Sequence, residues 1–235
     1  MLIFAIAISV TCLGITFVQR ILAPMLARFA MGDGPSAFLW LFNKCYVQII
    51  HHVQAFGTDC IPAGVFPGKL IVVCKHQSPV DPLLVQSQCH FKIRWLMAKE
   101  YMVPSLDFVW EHGQIIPVTR DGKDSAGLRV ALRHLKENGV IGIFPEGGIK
   151  QPRKAIHPFA EGIGAMIAHS MAPVLLVTVD DTPMDDEMER ALFERSYSRV
   201  RFIELIRFPK EATKNEITKD LRDRLAQATG WPLVE

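Results

Sequence analysis

The 235-residue sequence holds five cysteines (Cys12, Cys45, Cys60, Cys74, Cys89), and no two of them stand in a C-x-x-C spacing. An odd, scattered set excludes a disulfide framework or a zinc site and reads as reduced packing residues in a cytosol-facing protein. Neither positive nor negative residues are in marked excess. The 26 Lys and Arg against 24 Asp and Glu leave a net charge of +2, so no polycation argues for nucleic acid. There is no internal repeat, no low-complexity tract and no G-x-S-x-G, the strained turn that presents a nucleophilic serine. No basic residues precede the first apolar run, and no small-x-small site follows it, so a cleaved signal peptide is not expected.

What is abundant is apolar side chain, 49% of the sequence, with the excess at the start. Residues 2–18 carry no charge. As a helix they would reach ~26 Å, slightly short of a ~30 Å hydrocarbon core. Arg20 and Arg28 flank the carboxyl end of this segment, which by the positive-inside rule keeps the following domain on the cytoplasmic side. The competing reading is a buried core helix. The division expected is a helical membrane-association segment over 1–53 and an α/β domain over 54–235.

Within that domain, apolar runs alternate with helical patterns. Val53–Phe56, Leu70–Cys74, Ile93–Met97, Ile115–Val118, Val140–Phe144, Val174–Val179 and Val200–Phe208 read as strands. Helices are expected over 36–52, with Ser36 as the N-cap, and over 81–90, 104–113, 125–138, 158–171 and 213–229. His51 and His52 are expected at a solvated or interfacial helix end. The alternation predicts a mixed, largely parallel sheet covered by helices on both faces.

The chain is organised around Leu70-Ile-Val-Val-Cys-Lys-His-Gln-Ser-Pro-Val-Asp81. A buried strand ends at Cys74, His76 follows it, and Asp81 opens the next helix. A strand that ends in a loop and feeds a helix is where open α/β sheets place their chemistry. Five residues apart, the two cannot share one face of a helix, but across a turn the carboxylate can reach an imidazole nitrogen. That pair makes a general base whose tautomer is fixed by a carboxylate. On spacing alone it reads equally as a surface loop with a helix-capping aspartate. Arg120 and Glu146 each follow a further strand. If those strands are parallel neighbours, His76, Arg120 and Glu146 meet on one rim.

Lys-His-Gln-Ser-Pro-Val-Asp (75–81), Gly113 to Arg120 with Asp121, and Phe-Pro-Glu-Gly (144–147) stand in the order and spacing of the glycerolipid acyltransferases. Over about residues 54–180 the chain thus resembles the lysophospholipid acyltransferase superfamily. The resemblance implies the glycerol-3-phosphate acyltransferase-like fold. It makes His76 the general base and Asp81 its orienting carboxylate. The acyl donor would be a thioester of coenzyme A or acyl carrier protein, with no other cofactor and no metal. The acceptor would be a lysophospholipid or glycerol phosphate, held by Arg120, Glu146 and Gly147. Membrane lipids are the expected surroundings, and nucleic acid is not an expected partner.

Four positions depart from that pattern. Gly148 and Ile149 stand where relatives have Thr and Arg, Ala160 where a lysine is common, and Leu176 where a proline is usual. Lys150, Arg153 or Lys154 are the substitutes at hand, in a loop otherwise read as solvated or facing lipid headgroups. The departures open two further readings: an acceptor without a phosphomonoester, and a non-catalytic lipid-binding protein of the same fold. A metal-dependent hydrolase built on His76, Asp81 and Glu146 lacks a recognisable ligand spacing.

Overall fold

The computed structural model describes residues 16–102, 104, 107–119, 125–160 and 162–235. The apolar run 2–18 therefore falls almost wholly outside the described residues, as does Arg120. Among the described residues, seven strands form one sheet: β1 (Gln54–Phe56), β2 (Leu70–Cys74), β3 (Arg94–Ala98), β4 (Ile116–Val118), β5 (Val140–Ile143), β6 (Val174–Asp180) and β7 (Arg199–Ile206). Their spatial order is β1-β7-β6-β2-β5-β3-β4. All neighbours are parallel except β6 and β7.

The centre of the sheet is dictated by composition. Every residue of β2, β5 and β6 is buried, as apolar, β-branched strands covered on both faces require. Side chains along β2 alternate between two cores. Leu70, Val72 and Cys74 join a cluster with Val47, Leu84, Val85 and Cys89. Ile71 and Val73 join one with Leu135, Ile167, Leu221 and Leu225.

The helices are α1 (Ala23–Phe29), α2 (Gly34–Ile50), α3 (Asp81–Gln86), α4 (Asp107–Gly113), α5 (Ser125–Lys136), α6 (Gly162–Ser170), α7 (Met188–Ala191) and α8 (Lys214–Thr229). A π turn over Val18–Leu22 precedes α1. The cap of α8 is a reciprocal pair, Thr213 with Glu216, which satisfies two orphan amides at once. The N-cap of α2 is Asp33 rather than Ser36. Its carboxylate accepts the Ser36 amide at 2.8 Å, because Gly34 and Pro35 fit the first turn, where no intrahelical N–H bond is lost.

Of the two histidines that end α2, His51 is shut away from solvent and His52 is half-buried. His51 is fully buried and bonds the Tyr46 hydroxyl at 2.9 Å and Ser196 Oγ at 3.0 Å. His52 Nδ1 lies 3.2 Å from the Ser196 carbonyl. Both residues tie α2 to the approach to β7. Asn43 donates to the Leu83 carbonyl at 2.9 Å, so α2 is also fastened to the start of α3. Among the described residues, no helix is long and apolar enough to cross a membrane.

Candidate active site

Lys75 and His76 leave the carboxyl end of β2, and Asp81 begins α3 after one tight loop. His76 Nδ1 lies 2.8 Å from Asp81 Oδ2. The same oxygen accepts the backbone amides of Gln77 at 2.6 Å and Ser78 at 2.8 Å. Three donors on one oxygen of a fully buried carboxylate fix its orientation. With Nδ1–H donating to Asp81, Nε2 is the ring nitrogen that keeps a lone pair. The imidazole is 16% exposed while the carboxylate is 0% exposed, so of the two only the imidazole is open to a partner.

The ring is also supported from one face. His76 stacks on Phe144 with centroids 4.0 Å apart, and Phe144 stacks on Trp95 at 4.8 Å. The three rings come from the adjacent strands β2, β5 and β3. Room for this column is made at Gly142, where a Cβ would lie 2.3 Å from the Trp95 ring.

Glu146 converges on His76 because β2 and β5 pair in parallel. Its carboxylate faces inward. One oxygen meets Lys75 Nζ at 2.7 Å, in an ion pair with no exposed side-chain area. The other accepts the His157 amide at 3.0 Å. The side chain has no exposed area, so neither oxygen is open to an acceptor in this geometry. Gly147 has φ +70 with nothing within 4 Å of a Cβ there, so its left-handed turn, not crowding, calls for glycine.

The basic loop after the third block is not uniformly solvated. Lys150 is exposed. Lys154 reaches Asp181 at 3.3 Å and Asp180 at 3.9 Å. Arg153 is buried, contrary to the expectation of a surface cation. Its guanidinium donates to the carbonyls of Gln77, Pro183 and Met184 and to Asp186 Oδ1 at 2.8 Å. A planar, five-donor fork suits that task better than an ammonium does. Burial, with the Asp81 charge adding to it, pushes the Cys74 thiol well above its ordinary value, which makes it inert as a nucleophile.

A family model described as Acyltransferase matches residues 47–180, more than half of the chain. The chain belongs to the acyltransferase family. It falls within the lysophospholipid acyltransferase superfamily, whose motif order it carries. Glycerol-3-phosphate O-acyltransferase 1 of Saccharomyces cerevisiae is 27% identical over 192 residues, which cover 77% of this chain. The chain spans about a quarter of that relative's length, 24%. Among solved structures, the 1-acyl-sn-glycerophosphate (LPA) acyltransferase PlsC of Thermotoga maritima superposes with a TM-score of 0.68 at 18% identity. That match covers 94% of this chain and 91% of the other, and it shows a shared fold.

Sequence reasoning on this acyltransferase missed three contributors. Lys75 sits inside the first block, but its partner Glu146 is 71 positions away. Trp95 reads as an ordinary strand residue, and Arg153 as part of a charged loop. The one available signal was the lysine itself, since an ammonium directly after a wholly buried strand needs a partner.

Proposed function

We propose that this chain moves a fatty acyl group from an acyl thioester, on coenzyme A or acyl carrier protein, to an acceptor hydroxyl. The acceptor is a lysophospholipid or a glycerol-phosphate-type molecule. The observation that carries the reading is the His76–Asp81 contact at 2.8 Å, with the carboxylate buried and the imidazole open. His76 Nε2 takes the proton of the acceptor hydroxyl as its oxygen attacks the thioester carbonyl. Asp81 stabilises the imidazolium that forms. The tetrahedral intermediate then expels the thiolate, which recovers the proton from His76. No protein nucleophile is needed, because a thioester is already activated.

Phosphate recognition is assigned to Arg120 and Lys150. Lys75, Arg153 and Lys154 already have acidic or carbonyl partners. That commitment favours, as a second reading, an acceptor without a phosphomonoester. Residues 1–53 are assigned to membrane association, with the α/β domain on the cytoplasmic side. Phe17, Ile21, Met25 and Phe29 are all more than half exposed and recur every fourth residue, and Phe42 and Ile49 on α2 are likewise exposed. An apolar stripe of this kind suits the headgroup boundary.

The test is thiol release from palmitoyl-coenzyme A by detergent-purified protein across an acceptor panel, with His76→Ala alongside. Release that needs His76 and a lysophosphatidate-type acceptor supports the reading. Release only with phosphate-free acceptors keeps the mechanism and changes the substrate. No release from either coenzyme A or acyl carrier protein thioesters overturns it in favour of a lipid-binding protein.

A further inference from the structure

Two peptide units separate His76 from Ser78, and each is held at both ends. In the unit joining His76 to Gln77, the carbonyl accepts Lys75 Nζ at 3.0 Å, and the amide donates to Asp81 Oδ2. In the unit joining Gln77 to Ser78, the carbonyl accepts Arg153 Nη1 at 2.5 Å, and the amide donates to the same Asp81 oxygen. Carbonyl and amide of a trans peptide point in opposite directions. Each cation therefore sits behind a dipole whose positive end is aimed at the carboxylate. A charge on the carbonyl oxygen strengthens the hydrogen bond made by the amide beyond it.

The burial fits this use. Lys75 is fully buried and Arg153 is 6% exposed, so neither offers its charge to solvent. Asp81 Oδ1 has no hydrogen-bond partner among the described residues. The carboxylate thus depends on what reaches Oδ2, two of whose three bonds run through these peptides. We infer that Lys75 and Arg153 are positioning residues, which act through the 76–77 and 77–78 peptides to hold Asp81, and hence His76, in the reactive geometry. The inference rests on the general-base reading of His76 and adds two residues to it. Glu146 and Asp186 complete the device by compensating the two cations.

Lys75→Met alone strands Glu146 in the interior and is expected to unfold the chain, so the decisive variant is Lys75→Met/Glu146→Gln, which keeps the site neutral. Arg153→Met is paired with Arg153→Lys, which can restore one charged donor to the Gln77 carbonyl. Each is purified in detergent and checked by circular dichroism. Expected are a loss of kcat of about 10²-fold, KM for the thioester near wild type, and partial rescue by Arg153→Lys. The proton resonance of His76 Nδ1–H, which reports the bond to Asp81, should move upfield in both variants and needs no turnover. Folded variants with wild-type kcat and an unmoved resonance would overturn the inference, as would losses confined to KM. A wild type that turns over no acceptor would defeat the acyl-transfer reading, while the resonance would still decide this one.

Discussion

His76 and Phe144 lie face to face, with their ring planes 19° apart. The imidazole is thus held in two perpendicular ways. Asp81 fixes it in the ring plane through Nδ1, and Phe144 fixes the tilt of that plane. Phe144 is itself backed by Trp95 at 14°, so the tilt is passed on from the sheet.

Phe144→Leu keeps apolar bulk but removes the flat face. Turnover should fall by roughly tenfold, the kinetic equivalent of one aromatic pair, with the thermal midpoint only slightly lowered. Steady-state thiol release and a melting curve on the same preparation check both halves.

Removing the base has a larger effect. His76→Ala should lose about 10²–10⁴-fold in kcat and keep its fold, since the imidazole is partly exposed. Asp81→Asn should lose comparable turnover and also melt earlier. Its amide can set N–H donors against the Gln77 and Ser78 amides in a buried site. Equal melting temperatures for the two variants would contradict this account of Asp81.

Gly142→Ala places a methyl group against the Trp95 ring. Overpacking of this kind costs about 1–3 kcal/mol and should displace the ring column, lowering both the melting temperature and kcat. Trp95→Leu in the same chain should recover stability but not full activity. Denaturant unfolding and kinetics on the single and double variants separate the two effects.

Stability should fall on mild acidification through His51. Burial holds this imidazole below its ordinary value against the opposing charge of Glu194, and burial acts in the same direction on His90 and His134. The unfolded chain binds these protons near pH ~6.5, whereas the folded chain binds them only at lower pH. The stabilisation is therefore complete above pH ~6.5 and is lost as pH falls through the folded values. Melting temperatures from pH 7 to pH 5 should decline, and His51→Gln should flatten that slope while lowering stability at pH 7.

Membrane association should depend on the stripe through α1. Ile21→Glu with Met25→Glu is expected to weaken sedimentation with phospholipid vesicles and to leave turnover of detergent-dispersed substrate near wild type. Unchanged sedimentation would remove the stripe from that role.

Much of this architecture was legible because it is local. β2 begins and ends where its β-branched run does, at Leu70 and Cys74. The terminal helix starts at the Thr213–Glu216 pair, within four residues of chain. The helices after β2 and before β6 are shorter than periodicity implied. α3 stops at Gln86, whose side-chain amide donates to the Phe91 carbonyl and whose side-chain oxygen accepts the Ile93 amide, which turns the chain toward β3. What could not be read locally was long-range pairing. Arg153 looks like any loop arginine until the Gln77 and Pro183 carbonyls are brought to it. Glu146 looks like a surface carboxylate until β5 lies beside β2 and Lys75 takes its oxygen.

The single antiparallel pairing in the sheet has a practical corollary. Asp180, at the end of β6, pairs with Arg199, and Ile206, at the end of β7, pairs with Val174. β7 therefore delivers its carboxyl end to the rim opposite His76, and the exposed turn at Lys210 and Glu211 hangs from that far side. A fluorophore or affinity peptide spliced there would report on the molecule from the side away from His76, leaving the rim that carries it uncovered.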